Sequence, residues 1–86
     1  MKKVLILGST GSIGQSTLEV IEANKEDFSL AGLVAKSNEK LLLEQANKYK
    51  VNNICLINKK SKNDVFISES EIEDLIFSDQ VDIVVA

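Results

Sequence analysis

The chain has 86 residues, 44% of them hydrophobic and 27% charged, and a formal net charge of −3 with no arginine. That is the chemistry of one small soluble domain with a thin core, burying little more than about 60% of its extended surface. It argues against nucleic acid or an anionic membrane as the main partner. One cysteine excludes an internal disulfide, and nothing looks secretory, so the expected location is cytoplasmic. The absence of histidine removes the commonest general base and metal ligand, and with it every Ser-His or Cys-His nucleophile pair.

The first apolar run is VLIL at 4–7, followed at once by GSTGSIG. Its four aliphatic residues do not alternate with polar ones, which predicts a strand covered on both faces, as in a parallel sheet. A helix follows, with Ile13, Thr17, Leu18 and Ile21 on one stripe and Glu19 and Glu22 opposite. Ser12 and Gln15 have capping-box spacing, which puts the helix start in the second half of the glycine cluster, and Asn24 marks its end. LAGLVA (30–35) predicts the second strand. Leu42, Ala46 and Tyr49 predict a second helix, capped by Ser37 or Asn38. ICLI (54–57) is a third strand, and NKKSKN (58–63) reads as a solvated loop. DVFIS (64–68) is a weaker candidate for an edge strand. Ile72, Leu75 and Ile76 predict a short third helix, with Ser68 and Glu71 at capping-box spacing, and DIVVA (82–86) predicts a last strand. Strands alternating with helices at this rhythm predict βαβ units and an open parallel α/β sheet with flanking helices.

Three of the four glycines, Gly8, Gly11 and Gly14, stand three apart between the first strand and helix. Gly8 would let the chain leave the strand with a backbone angle forbidden to a Cβ. Gly11 would let the main chain approach a bound group, and Gly14 would let helix and strand pack closely. The helix then aims its free N–H groups at whatever lies over the loop, which suits a pyrophosphate. The spacing differs by one residue from G-x-G-x-x-G, but strand, capped helix and second strand give it the context of a Rossmann-like dinucleotide site. A structural glycine turn is the bland competitor. A mononucleotide phosphate loop fits poorly, because Ser9 would fall at its first glycine and Gln15 at its lysine.

After the second strand, an NAD site usually carries an acid for the ribose hydroxyls. Here Lys36, Ser37 and Asn38 follow, while Asp27 lies at the wrong end of the sheet and Glu39 comes one residue late. A cation with two hydrogen-bonding side chains suits a 2′-phosphate, so NADPH is expected over NADH. The competing reading has Lys36 solvated and Ser37 or Asn38 only capping the next helix.

GSTGSIGQSTLEVI, with Asn24, Phe28, LVAKSN and LLLEQ after it, resembles the N-terminus of the 1-deoxy-D-xylulose 5-phosphate reductoisomerases. The similarity is close over about the first fifty residues and looser from 51 onward. It implies that residues 1–86 are the N-terminal part of an NADPH-binding Rossmann-like domain, the remaining family domains lying outside this chain. It also implies cofactor contacts from Thr10, Gly11, Ser12 and Ile13 and from Asn38; with the residues read above, the expected set is Gly8, Thr10, Gly11, Ser12, Ile13, Lys36, Ser37 and Asn38. Lys36 departs from the family pattern, standing where a glycine is common, and the crossover before DIVVA is short enough to have lost a helix. The implied reaction rearranges 1-deoxy-D-xylulose 5-phosphate, a phosphorylated sugar, and reduces the product with NADPH to 2-C-methyl-D-erythritol 4-phosphate. It is a step of the non-mevalonate route to isoprenoids. The family also implies a divalent metal, Mg or Mn, held by residues outside this chain, and a homodimer. No catalytic or metal-binding residue is assigned here; the acidic group Glu69, Glu71, Glu73 and Asp74 reads as a helix-dipole feature.

Two other classes stay open at this point. Another NADP-dependent oxidoreductase would need Tyr-x-x-x-Lys, but Tyr49 has Asn53 at that spacing; or it would need a nucleophilic cysteine, but Cys55 sits in an apolar run. A non-catalytic NADPH-binding module is the third reading.

Overall fold

A computed structural model of the chain describes residues 1–58 and 65–86. Four parallel strands, β1 (Lys2–Leu7), β2 (Phe28–Ala35), β3 (Ile54–Leu56) and β4 (Ile83–Val85), form one open sheet in the order β3-β2-β1-β4. Among the described residues, three helices, α1 (Ser12–Ala23), α2 (Glu39–Tyr49) and α3 (Glu69–Ile76), lie between the strands. The fold is the open α/β class expected from the alternation of runs, a Rossmann-like arrangement.

The unbroken apolar runs are explained by helices on both faces. Val4, Ile6, Leu33, Ala35, Ile54 and Leu56 point to one side, where Leu18 and Ile21 of α1 and Leu42 of α2 pack on them. Leu5, Val34 and Cys55 point to the other, where Ile72 of α3 closes a second, smaller cluster. Successive side chains of a strand alternate in direction, so a strand sandwiched between helices must be apolar at every position. The chain winds outward from β1 through β2 to β3, then returns across the sheet through α3 to β4. Strand order therefore reverses between β1 and β4, the place where open α/β sheets leave a crevice beyond their carboxyl ends. Lys3 fastens this last strand: its N–H donates to Asp82 Oδ2 and its carbonyl accepts from Asp82 N, both at 2.8 Å.

Several sequence expectations need correction. DVFIS is not an edge strand over its described residues. Ile67 N–H donates to Ile54 O at 2.8 Å, but residues 65–68 form no strand and the segment turns into the cap of α3; Asp64 lies outside the described residues. The loop expected over 58–63 also lies outside them, apart from Asn58, which is in a turn. Ile13 does not share the buried stripe of α1. It is 70% exposed, and the buried face is Gly14, Leu18 and Ile21. The reason is the close seating of the helix start on the loop, which only a residue without a side chain permits. No helix among the described residues is long and apolar enough to cross a membrane.

Candidate functional site: the glycine loop and the ends of β1 and β2

The loop from Gly8 to Gly11 is fixed almost entirely by backbone hydrogen bonds. Gly8 has φ +81°, a conformation that costs L-residues with a Cβ about 1 kcal/mol or more. Its N–H and that of Ser9 both donate to Val34 O on β2, at 2.7 and 3.1 Å. Gly11 N–H closes the turn on Gly8 O at 3.1 Å. From the far side, the buried Gln45 of α2 donates its Nε2–H to Ser9 O at 2.8 Å.

The other two glycines differ in what demands them. A Cβ on Gly14 would overlap the Gly8 carbonyl oxygen and sit 2.7 Å from Ser9 Cα, so the protein itself requires glycine there. The close contact is with the loop backbone just beyond β1 rather than with the strand proper. Gly11 is the opposite case. Its φ of −76° and ψ of 170° are ordinary extended values, and the nearest atom to an added Cβ would be Gly8 O at 3.4 Å. Nothing among the described residues forbids a side chain at Gly11.

Gly11 is also the N-cap of α1, and it makes no side-chain cap. The capping box expected between Ser12 and Gln15 is not formed. Ser12 is the first helical residue, one position too late to cap, and Gln15 Nε2 donates instead to Thr10 O at 2.9 Å. The first turn holds no acid. The N–H groups of Ser12, Ile13 and Gly14 are thus the orphan donors of a helix start. They face the crevice with the positive end of the helix dipole behind them, a geometry suited to an anion.

A cleft of about 210 Å³ lies there, lined by Leu7, Gly8, Gly11, Ser12, Ile13 and Gly14 together with Val85 and Ala86. Of the expected residues, Gly8, Gly11, Ser12 and Ile13 line it. Thr10 is half-buried behind them, its carbonyl occupied by Gln15. Lys36, Ser37 and Asn38 are exposed and lie outside the cleft, at the carboxyl end of the adjacent strand, where Leu7 pairs with Val34. Among these, Asn38 is the cap of α2, its Oδ1 accepting from Leu41 N at 3.2 Å, and Ser37 only lends its carbonyl to Glu39 N. Glu39 is the first residue of α2. A larger groove, about 370 Å³, runs along the outer face of α1 over Ile13, Ser16, Thr17 and Val20, but it lies away from the strand ends.

Two features escaped sequence reasoning. Val85 and Ala86 reach the cleft because strand order reverses, a tertiary fact. Gln45 carried a signal: it is the polar member of the buried α2 face that otherwise reads Leu42, Ala46 and Tyr49.

The sequence model of the 1-deoxy-D-xylulose 5-phosphate reductoisomerases matches residues 4–86. The chain belongs to that family. A reductoisomerase of Wigglesworthia glossinidia brevipalpis is 41% identical over 100 residues, covering 100% of this chain and 25% of the relative. One of Chloroherpeton thalassium is 39% identical over 83 residues, covering 96% and 20%. The chain thus spans about a quarter or less of the reductoisomerases it matches. Among solved structures, a reductoisomerase in complex with magnesium superposes with a TM-score of 0.77 at 29% identity, over 98% of this chain and 24% of that one. The Zymomonas mobilis reductoisomerase in complex with NADPH superposes at 0.59 and 25% identity, over 99% and 21%. Reductoisomerases of this family thus include one bound to NADPH and one bound to magnesium.

Proposed function

We propose that residues 1–86 form the N-terminal part of the NADPH-binding domain of a 1-deoxy-D-xylulose 5-phosphate reductoisomerase acting in the cytoplasm. The uncapped start of α1, open to the crevice at Gly11, is the observation that carries this reading. Ser12 and Ile13 would give main-chain N–H groups to the pyrophosphate, and Gly8 and Gly11 would leave room for it. Thr10 would offer its hydroxyl from the same loop. Across the strand pair, Lys36 and Ser37 would meet the 2′-phosphate. Asn38 has its Oδ1 engaged in the cap, which leaves its Nδ2–H₂ to donate to the same phosphate.

The bound NADPH supplies a hydride for the reduction that yields 2-C-methyl-D-erythritol 4-phosphate from the phosphorylated sugar substrate. This chain's residues hold the adenine-side phosphates and take no proton. A divalent metal finds no fit among the described residues, where no three Asp, Glu, Cys or His side chains converge. Glu69 and Glu71 belong to the first turn of α3, where they offset the helix dipole.

Cofactor titration of the full-length protein tests the proposal. NADPH should bind about tenfold or more tightly than NADH, the worth of charge-assisted bonds to the 2′-phosphate. Gly11→Val should abolish binding while α1 persists by circular dichroism. Equal affinities would remove Lys36 to Asn38 from the site, and unaltered binding by Gly11→Val would remove the loop.

A further inference from the structure

Gln45 lies on α2, far from the glycine loop in sequence, yet its side chain is 5% exposed and ends on that loop. The amide orientation is fixed by its partner. Ser9 O can only accept, so the nitrogen must face it, and a flipped amide would set two oxygens against each other. Gln45 Oε1 is then left buried, and so is the hydroxyl of Ser9, which is fully enclosed; neither has a hydrogen-bond partner among the described residues. A buried polar group without a partner is destabilising; an apolar residue at position 45 would remove the unpaired Oε1 but would strip the Ser9 carbonyl of its donor. What the glutamine provides in return is a donor for the Ser9 carbonyl, whose neighbours along the loop are held locally, Gly8 O by Gly11 N and Thr10 O by Gln15 Nε2. Val34 O holds the two N–H groups of Gly8 and Ser9, and only Gln45 holds the carbonyl that follows them.

We propose that Gln45 is a positioning residue for the cofactor. By fixing the Ser9 carbonyl it sets the Ser9–Thr10 peptide plane, and through it the direction in which the loop's remaining N–H groups face the pyrophosphate. It also ties α2, whose N-terminus carries Asn38, to the loop that starts α1, so that the two phosphate-facing ends keep a fixed separation. The proposal rests on NADPH binding at the glycine loop.

Cofactor titration of full-length variants from pH 5.5 to 8.5, each referred to wild type at the same pH, tests it. Gln45→Met keeps the length but has no donor, and should weaken NADPH about tenfold. Gln45→Glu regains a donor only when its carboxyl is protonated. Its affinity deficit should therefore be large at pH 8.5 and shrink as the pH falls, a signature that loss of packing does not produce. A Gln45→Met protein with a lower melting temperature but wild-type affinity overturns the proposal, as does a Gln45→Glu deficit that does not vary with pH. If Gln45→Met fails to fold, the Gln45→Glu profile decides alone. Failure of the cofactor reading shows itself separately, in Gly11→Val retaining wild-type affinity.

Discussion

The N-termini of α1 and α3 solve the same problem in opposite ways. α3 is closed by its own residues: Ser68 Oγ accepts from Glu71 N at 3.2 Å, and Glu69 and Glu71 place two negative charges in the first turn. α1 has a glycine for a cap, no acid in its first turn, and donors that end on a crevice. Both helices are short and amphipathic. A helix start that the chain leaves unsatisfied, beside one it satisfies twice, points to a partner supplied from outside.

Reversing the difference at α1 gives the largest expected effect. Gly11→Asp places a strong capping residue at a position whose backbone angles already suit it. The fold should keep its stability or gain about half a kcal/mol from the cap and the dipole. NADPH affinity should fall about a hundredfold or more, because the new carboxylate stands where the pyrophosphate would lie. Melting temperature and cofactor titration on the same preparation read both signs. Stability and affinity falling together would mean that Gly11 is needed by the fold, and the contrast between the two helices would lose its meaning.

How much of this was readable from sequence differs along the same contrast. The cap of α3 was legible, because Ser68 and Glu71 form a local pattern and no tertiary contact competes with it. The same pattern at Ser12 and Gln15 misled. Gly14 must sit on Gly8 and Ser9, which draws the helix start back to Gly11 and leaves Ser12 inside the first turn. The apolar runs gave the strands, since burial on both faces leaves a pattern independent of topology. The edge strand expected over DVFIS failed because β-branched composition alone cannot say that the chain must turn into a cap. Gln45 lay beyond local reasoning, for its partner is 36 residues away.

At α3 the reverse test is smaller. Ser68→Ala removes the cap acceptor for Glu71 N, and chemical denaturation should show a loss of about 1 kcal/mol. NADPH affinity should not change. A drop in affinity of more than about twofold would tie α3 to the cofactor and blur the distinction between a structural and a functional helix start.

Cys55 gives the finest comparison, because its thiol is a local reporter of the α3 terminus. It is buried beside Ser68, Glu69 and Glu71. A helix start alone lowers a thiol pKa, yet here the thiol is pushed above its ordinary value, first by burial and then by the Glu69 and Glu71 carboxylates. The sign for stability follows. The unfolded thiol ionises near 9.0 while the folded one still holds its proton, so this contribution is complete below that pH and fades as pH rises through the folded value. Cys55→Ala should therefore flatten part of the stability loss above pH 9. Glu69→Gln with Glu71→Gln should hasten thiol labelling of the native protein at pH 8.5, though only modestly while burial persists. Labelling at an unaltered rate would mean that the two acids do not govern the field at this helix end, and α3 would then differ from α1 by its cap alone.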